Sequence, residues 1–178
     1  MPETSSTDRA RRLLVMRHAK AAAAGEAGGD DAPEGADRDR PLAPRGRRDA
    51  PAAGAWLAGS GWVPDLILSS DAARARETTE LVVEGLTGAG APEPSVRYVG
   101  GLYESSVHQV LHVVAELPAD VATAMVVGHE PTMSAVVAVL TGTRVDFATS
   151  AVALIELAGG WSDLGTGAGT LVGVRTAR

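Results

Sequence analysis

Four side chains could do chemistry together: Arg17 and His18 at the end of the apolar run Leu13-Leu14-Val15-Met16, Arg74 shortly after Leu66-Ile67-Leu68-Ser69-Ser70, and His129 directly after Ala124-Met125-Val126-Val127-Gly128. A guanidinium holds phosphoryl oxygens by bidentate, charge-assisted hydrogen bonds. A neutral imidazole is a competent nucleophile at phosphorus near neutral pH and forms covalent intermediates. Two of each at one place suit phosphoryl transfer, which asks the protein mainly to position reactants and offset charge on the equatorial oxygens. Each residue also has an ordinary reading when taken singly. Arg17 can be a surface cation, His18 a satisfied, partly buried histidine, Arg74 part of a solvated helical face beside Arg76 and Glu77, and His129 part of a helix start before Glu130-Pro131. What sets the group apart is the shared context, because each lies close to the C-terminal end of a hydrophobic strand. In open α/β sheets that edge is where ligands bind.

The elements that must position these residues are legible in outline. Short apolar runs at 12–17, 66–69 and 122–127 read as buried strands, with a shorter strand at 96–99 and closing strands at 151–157 and 170–174. Between them, 44–57 reads as a helix stopped by Gly59-Ser60-Gly61, with Pro51 expected in its early turns or at a kink. The stretch 71–86 carries Ala75, Thr78, Leu81 and Val82 at helical spacing. Ser105 or Ser106 is placed to cap a helix running to about residue 117, and Pro131 suits the first turn of the next one. Strands alternating with helices predict a single-domain, three-layer α/β/α fold around a mostly parallel mixed sheet. Residues 1–11 read as a disordered tail and 12–178 as the domain, with no repeat and no second domain. The segment 21–40, rich in Ala, Gly and Asp, reads as a long loop. It either borders the site or is a flexible insertion that touches nothing.

Composition narrows the classes. A chain of 178 residues fits one domain with a substantial core, and a formal net charge of −6 argues against a general nucleic-acid binder. An anionic substrate then needs a locally positive pocket in an acidic surface. Without cysteine there is no disulfide framework, thiolate nucleophile or Cys-ligated zinc. The polar start of the chain has no apolar signal segment and no apolar run approaches membrane-spanning length, so the expectation is a cytoplasmic protein that binds neither membrane nor nucleic acid.

The ordered set Arg17-His18-Ala19, Arg40-Pro41-Leu42 followed by Arg45-Gly46, Ser69-Ser70 with Arg74, and Gly128-His129-Glu130-Pro131 resembles the histidine phosphatase superfamily. The small size and the Arg-Pro-Leu segment look most like its SixA-type phosphohistidine phosphatase branch. The resemblance covers roughly residues 13–157 and implies a phosphoglycerate mutase-like fold, with a phosphatase reaction that needs no cofactor or metal. By the family's pattern His18 is the nucleophile, Arg17 and Arg74 clamp phosphoryl oxygens, and charged His129 donates to the same group. Arg40 and Arg45 are candidates for the pocket rim. A carboxylic acid protonates the leaving group in many superfamily members, and Glu104 is its best positional candidate here. Glu104 reads equally well as ordinary helix-start chemistry. SixA-type proteins lack an obvious equivalent, which fits a phosphoramidate whose labile P–N bond needs less acid assistance. Ala19 stands where the family usually has Gly, and Lys20 follows.

The implied partner is a protein carrying phosphohistidine, since so short a chain leaves little to enclose a small substrate. A small-molecule phosphomonoesterase and a non-catalytic phospho-binding module are the alternatives. Elsewhere, His108 and His112 have metal-ligand spacing but lack the Glu of a zinc-protease motif and any evident third ligand. Gly165-Thr166-Gly167-Ala168-Gly169 has no following Gly-Lys and reads as a turn.

Overall fold

The computed structural model describes residues 10–24 and 37–177, so most of the expected tail and the middle of the 21–40 loop lie outside the described residues. The strands are β1 (Arg12–Arg17), β2 (Leu66–Ser70), β3 (Ser95–Val99), β4 (Thr123–Gly128), β5 (Val152–Leu157) and β6 (Gly169–Arg175). The helices are α1 (Pro44–Ser60), α2 (Ala73–Gly88), α3 (Val107–Ala115) and α4 (Thr132–Thr141), with short 3₁₀ turns at Gly100–Leu102 and Trp161–Asp163. The sheet order is β3-β2-β4-β1-β5-β6. β1–β4, β2–β4 and β2–β3 pair in parallel, whereas β5 runs antiparallel to both β1 and β6. The mixed, mostly parallel sheet is the one expected.

Central strands covered on both faces read as continuous apolar runs, which is why β2 and β4 are buried at every position. Along β1 the side chains alternate between two cores. Leu13 and Val15 join Leu68, Val126, Val136 and Ile155 on the α3/α4 side. Leu14 and Met16 join Leu57, Ile67, Val82 and Val127 on the α1/α2 side. Three layers follow from this alternation. No described helix is long and apolar enough to cross a membrane.

The helix starts repay inspection. Ser106, rather than Ser105, caps α3: its Oγ accepts from Gln109 N at 3.2 Å while its own N donates to Gln109 Oε1 at 2.7 Å. α1 begins with Pro44 and contains Pro51, as the helix expected over 44–57 does. The ring's missing N–H leaves Arg47 without its usual helical donor. α4 starts one residue later than expected, at Thr132, with Pro131 at its cap after a cis Glu130–Pro131 bond.

Candidate active site

β1 and β4 are neighbours in parallel register with Arg17 opposite Gly128, so both strands discharge at the same edge. The residues that follow, His18 and His129, therefore emerge side by side. His18 N donates to Gly128 O at 3.0 Å, and the two imidazole centroids lie 5.1 Å apart. β2 flanks β4 on its other side and leads within two residues into α2, whose first turn carries Arg74. Arg74 is buried and donates through Nε to His18 Nε2 at 3.3 Å. Three separate strand ends thus converge on one imidazole.

The nucleophile candidate has a defined proton arrangement. His18 Nδ1 lies 2.7 Å from the Ala19 carbonyl, which can only accept, so Nδ1 carries the hydrogen and the Nε2 lone pair faces Arg74. Ala19 is held in turn, because its N donates to Thr78 Oγ1 at 3.0 Å while that hydroxyl donates to Arg74 O at 2.6 Å. Burial, with His129, Arg74 and Arg17 close by, lowers the His18 pKa to about 3, against the smaller raising effect of its bond to Ala19. The ring is neutral at pH 7.

Arg17 donates through Nη1 to Phe147 O at 2.8 Å, on the segment that leads into β5. His129 Nε2 lies 2.8 Å from Ser70 Oγ at the end of β2. Its pKa is lowered to about 4, mainly by burial and then by Arg74. The expected imidazolium is therefore a neutral imidazole in this structure, since no anion faces it strongly enough to offset desolvation. Among the described residues, Arg17 Nε, Arg40 Nε and His129 Nδ1 are buried without a protein partner. A buried nitrogen without a protein partner on Arg17 and on His129, beside His18, is what an anion's oxygens would satisfy.

Comparison with known proteins decides the family. The model of the histidine phosphatase superfamily (branch 1) matches residues 13–97. An uncharacterized protein of Mycobacterium tuberculosis is 40% identical over 175 residues, covering 92% of this chain and 100% of its own. The SixA protein from Nakamurella multipartitia superposes with a TM-score of 0.78 at 34% identity, covering 96% of this chain and 98% of that one. The chain belongs to the histidine phosphatase superfamily. A protein histidine phosphatase SixA complexed with tungstate also superposes, at TM-score 0.73 and 28% identity over 93% of this chain and 96% of that one, which fits the SixA-type branch.

For a histidine phosphatase of this type the described residues add groups that the motifs alone did not assign. Ser70 holds His129, and Thr78, which the helical spacing counted as apolar, ties Ala19 to Arg74. Asp37 accepts from Arg74 Nη2 at 3.1 Å and from the Tyr103 hydroxyl at 2.9 Å. The Tyr103 ring stands edge-on to His129 with centroids 5.5 Å apart. The signal for Ser70 was its place at a strand end, whereas Asp37 and Tyr103 carried none, since only folding brings them to Arg74. Arg40 reaches the group through Asp37, with Nη2 3.2 Å from Oδ1. Glu104 is exposed at a left-handed φ of 52° and makes no hydrogen bond or ion pair among the described residues. Its charge is felt at Tyr103, where it helps to raise the phenol pKa, after burial and Asp37. His112 pairs with Glu116 at 3.5 Å on the exposed face of α3, beside exposed His108.

Proposed function

We propose that this phosphatase works through a covalent intermediate on His18 Nε2 and that phosphohistidine on a protein is its preferred substrate. The observation that carries the mechanism is the His18–Ala19 hydrogen bond, which leaves the Nε2 lone pair aimed into the arginine-lined pocket. Nε2 attacks phosphorus, the bond from phosphorus to the leaving group breaks, and Arg17 and Arg74 hold the equatorial oxygens. His129 donates through Nδ1; a bound phosphoryl dianion favours its charged form, in which Ser70 Oγ can still accept from Nε2. Water then attacks the phosphorylated His18 and releases inorganic phosphate, which restores the neutral ring.

Two observations support a protein substrate. Two solved relatives above 25% identity are described as SixA, one of them as a protein histidine phosphatase. The connections leaving β2 and β4 at this edge are short, 71–72 and 129–131, and insert no helical cover. Short connections at these two strand ends suit a side chain presented on another protein's surface. Exposed Glu104 supplies no buried proton donor, in keeping with an imidazole leaving group.

Purified protein in EDTA, given a phosphohistidine-bearing protein and p-nitrophenyl phosphate, tests this reading. Phosphohistidine should be hydrolysed well above the aryl phosphate, with turnover and the acid-labile phosphoenzyme both lost in His18→Ala. Efficient aryl phosphate turnover that falls by orders of magnitude in Glu104→Gln would instead identify a small-molecule phosphomonoesterase. Binding that survives His18→Ala without turnover by the wild type would identify a phospho-binding module.

A further inference from the structure

The carboxylate of Asp37 is paired with Arg74, the guanidinium assigned above to the phosphoryl group. Asp37 Oδ2 accepts from Arg74 Nη2 at 3.1 Å and from Tyr103 OH at 2.9 Å, and its main-chain carbonyl accepts from Arg74 Nη1 at 2.6 Å. Arg74 Nε faces His18 Nε2 at 3.3 Å, so all the nitrogens of this guanidinium are engaged. Nε and one Nη form the side-on fork by which an arginine grips two oxygens of one phosphoryl group. Here that fork is divided between the nucleophile and Asp37. A phosphoryl dianion approaching Nε2 therefore meets an Arg74 whose charge is already paired with the carboxylate, and the two anions compete for it.

The local construction allows such an exchange. Arg38 O accepts from Ala73 N at 2.8 Å, and the Arg38 side chain pairs with Asp71 and lies over the Tyr103 ring at 5.0 Å. The residue next to Asp37 is thereby pinned to the start of α2. The Asp37 side chain is 57% exposed, so its carboxylate can swing into water while an incoming phosphoryl group takes over the buried Arg74 charge. Its bond from Tyr103 and the arginines hold its pKa below the usual carboxylate value despite some desolvation, so it is an anion at neutral pH.

We propose that Asp37 is an internal competitor for the phosphoryl subsite: it holds Arg74 in the empty enzyme, yields it to substrate, and reclaims it to expel inorganic phosphate. This rests on the assignment of Arg74 and His18 to a phosphoryl subsite. It makes Asp37 a residue that limits affinity for any phosphoryl dianion and speeds product release.

Calorimetric titration of inorganic phosphate into the full chain tests the proposal. Asp37→Asn keeps an acceptor for Tyr103 and Arg74 but removes the charge, and it should bind phosphate about tenfold more tightly, an effect of the size expected for a partly exposed charge pair. Product inhibition should deepen by the same factor, while Asp37→Glu stays within about threefold of the wild type. Asp37→Ala carries the same expectation should the Asn variant fold poorly. A purely structural Asp37 would instead loosen phosphate binding when replaced. Unchanged or weaker binding in both neutral variants, with binding abolished in Arg74→Ala, overturns the competitor and leaves the subsite intact. Absence of phosphate binding by every protein, wild type included, overturns the subsite and the proposal together.

Discussion

The nucleophilic role proposed for His18 needs one nitrogen kept unprotonated and turned toward Arg74, and a single backbone contact provides both. The Ala19 carbonyl takes the Nδ1 hydrogen, and burial among cations keeps the second proton off. The side chains around it are then expected to differ in their effects. Arg74→Lys replaces a fork by a point charge and should lower kcat/KM by about 10²–10³-fold, as loss of a positioned donor to transition-state charge does. Ser70→Ala removes the hydroxyl 2.8 Å from His129 Nε2 and should cost about tenfold, the equivalent of one modest hydrogen bond. Both are read from steady-state kinetics on phosphohistidine protein, and an Arg74→Lys enzyme of wild-type activity would remove Arg74 from the reaction. Arg17, His18, Arg74 and His129 were legible in the sequence because each follows an apolar strand. Asp37 and Tyr103 were not, because a turn residue and a lone tyrosine look the same wherever the chain takes them.

At the scale of elements, Arg74 and Thr78 are only as well placed as α2, and α2 is seated on α1 through two glycines. A Cβ on Gly54 would lie 2.1 Å from Val82 O, and one on Gly85 would lie 2.0 Å from Pro51 O. Both neighbours are backbone and cannot rotate away, so the helices would have to part. Gly54→Ala should therefore destabilise the fold by about 1–3 kcal/mol in urea denaturation, despite the better helix propensity of Ala. Gly59→Ala, also in α1 but with nothing within 4 Å of its Cβ, should leave stability unchanged or slightly higher. Equal losses at both positions would contradict the close approach. The strand and helix order was legible because the two-sided burial of β1, β2 and β4 writes continuous apolar runs. The close seating of α2 on α1 was not, since a helical glycine looks the same whether or not another backbone packs against it.

For the whole molecule, two imidazoles held neutral inside the fold tie stability to pH. In the unfolded chain each titrates near 6.5, whereas in the folded protein His18 does so at about 3 and His129 at about 4. Between these values the unfolded state binds more protons, so stability is fully present above about pH 6.5 and is lost as pH falls through the folded values. Thermal denaturation should show the melting temperature falling between pH 7 and 5. His18→Asn should flatten that dependence by about one proton in the linkage slope. A His18→Asn slope equal to the wild type would mean that the ring is not held neutral. The same burial that keeps the His18 ring neutral thus makes the empty enzyme acid-sensitive.

The sequence by itself determined the order of strands and helices and the identity of the groups at the strand ends. These follow from local periodicity and from where apolar runs stop. Tertiary structure alone decided which nitrogen of His18 is free, that both site histidines are neutral, and that Asp37 and Tyr103 stand before Arg74. Proton positions and charge states are set by desolvation and by neighbours across space. Those neighbours are far apart in the chain, and the sheet that brings them together exists only once it has folded.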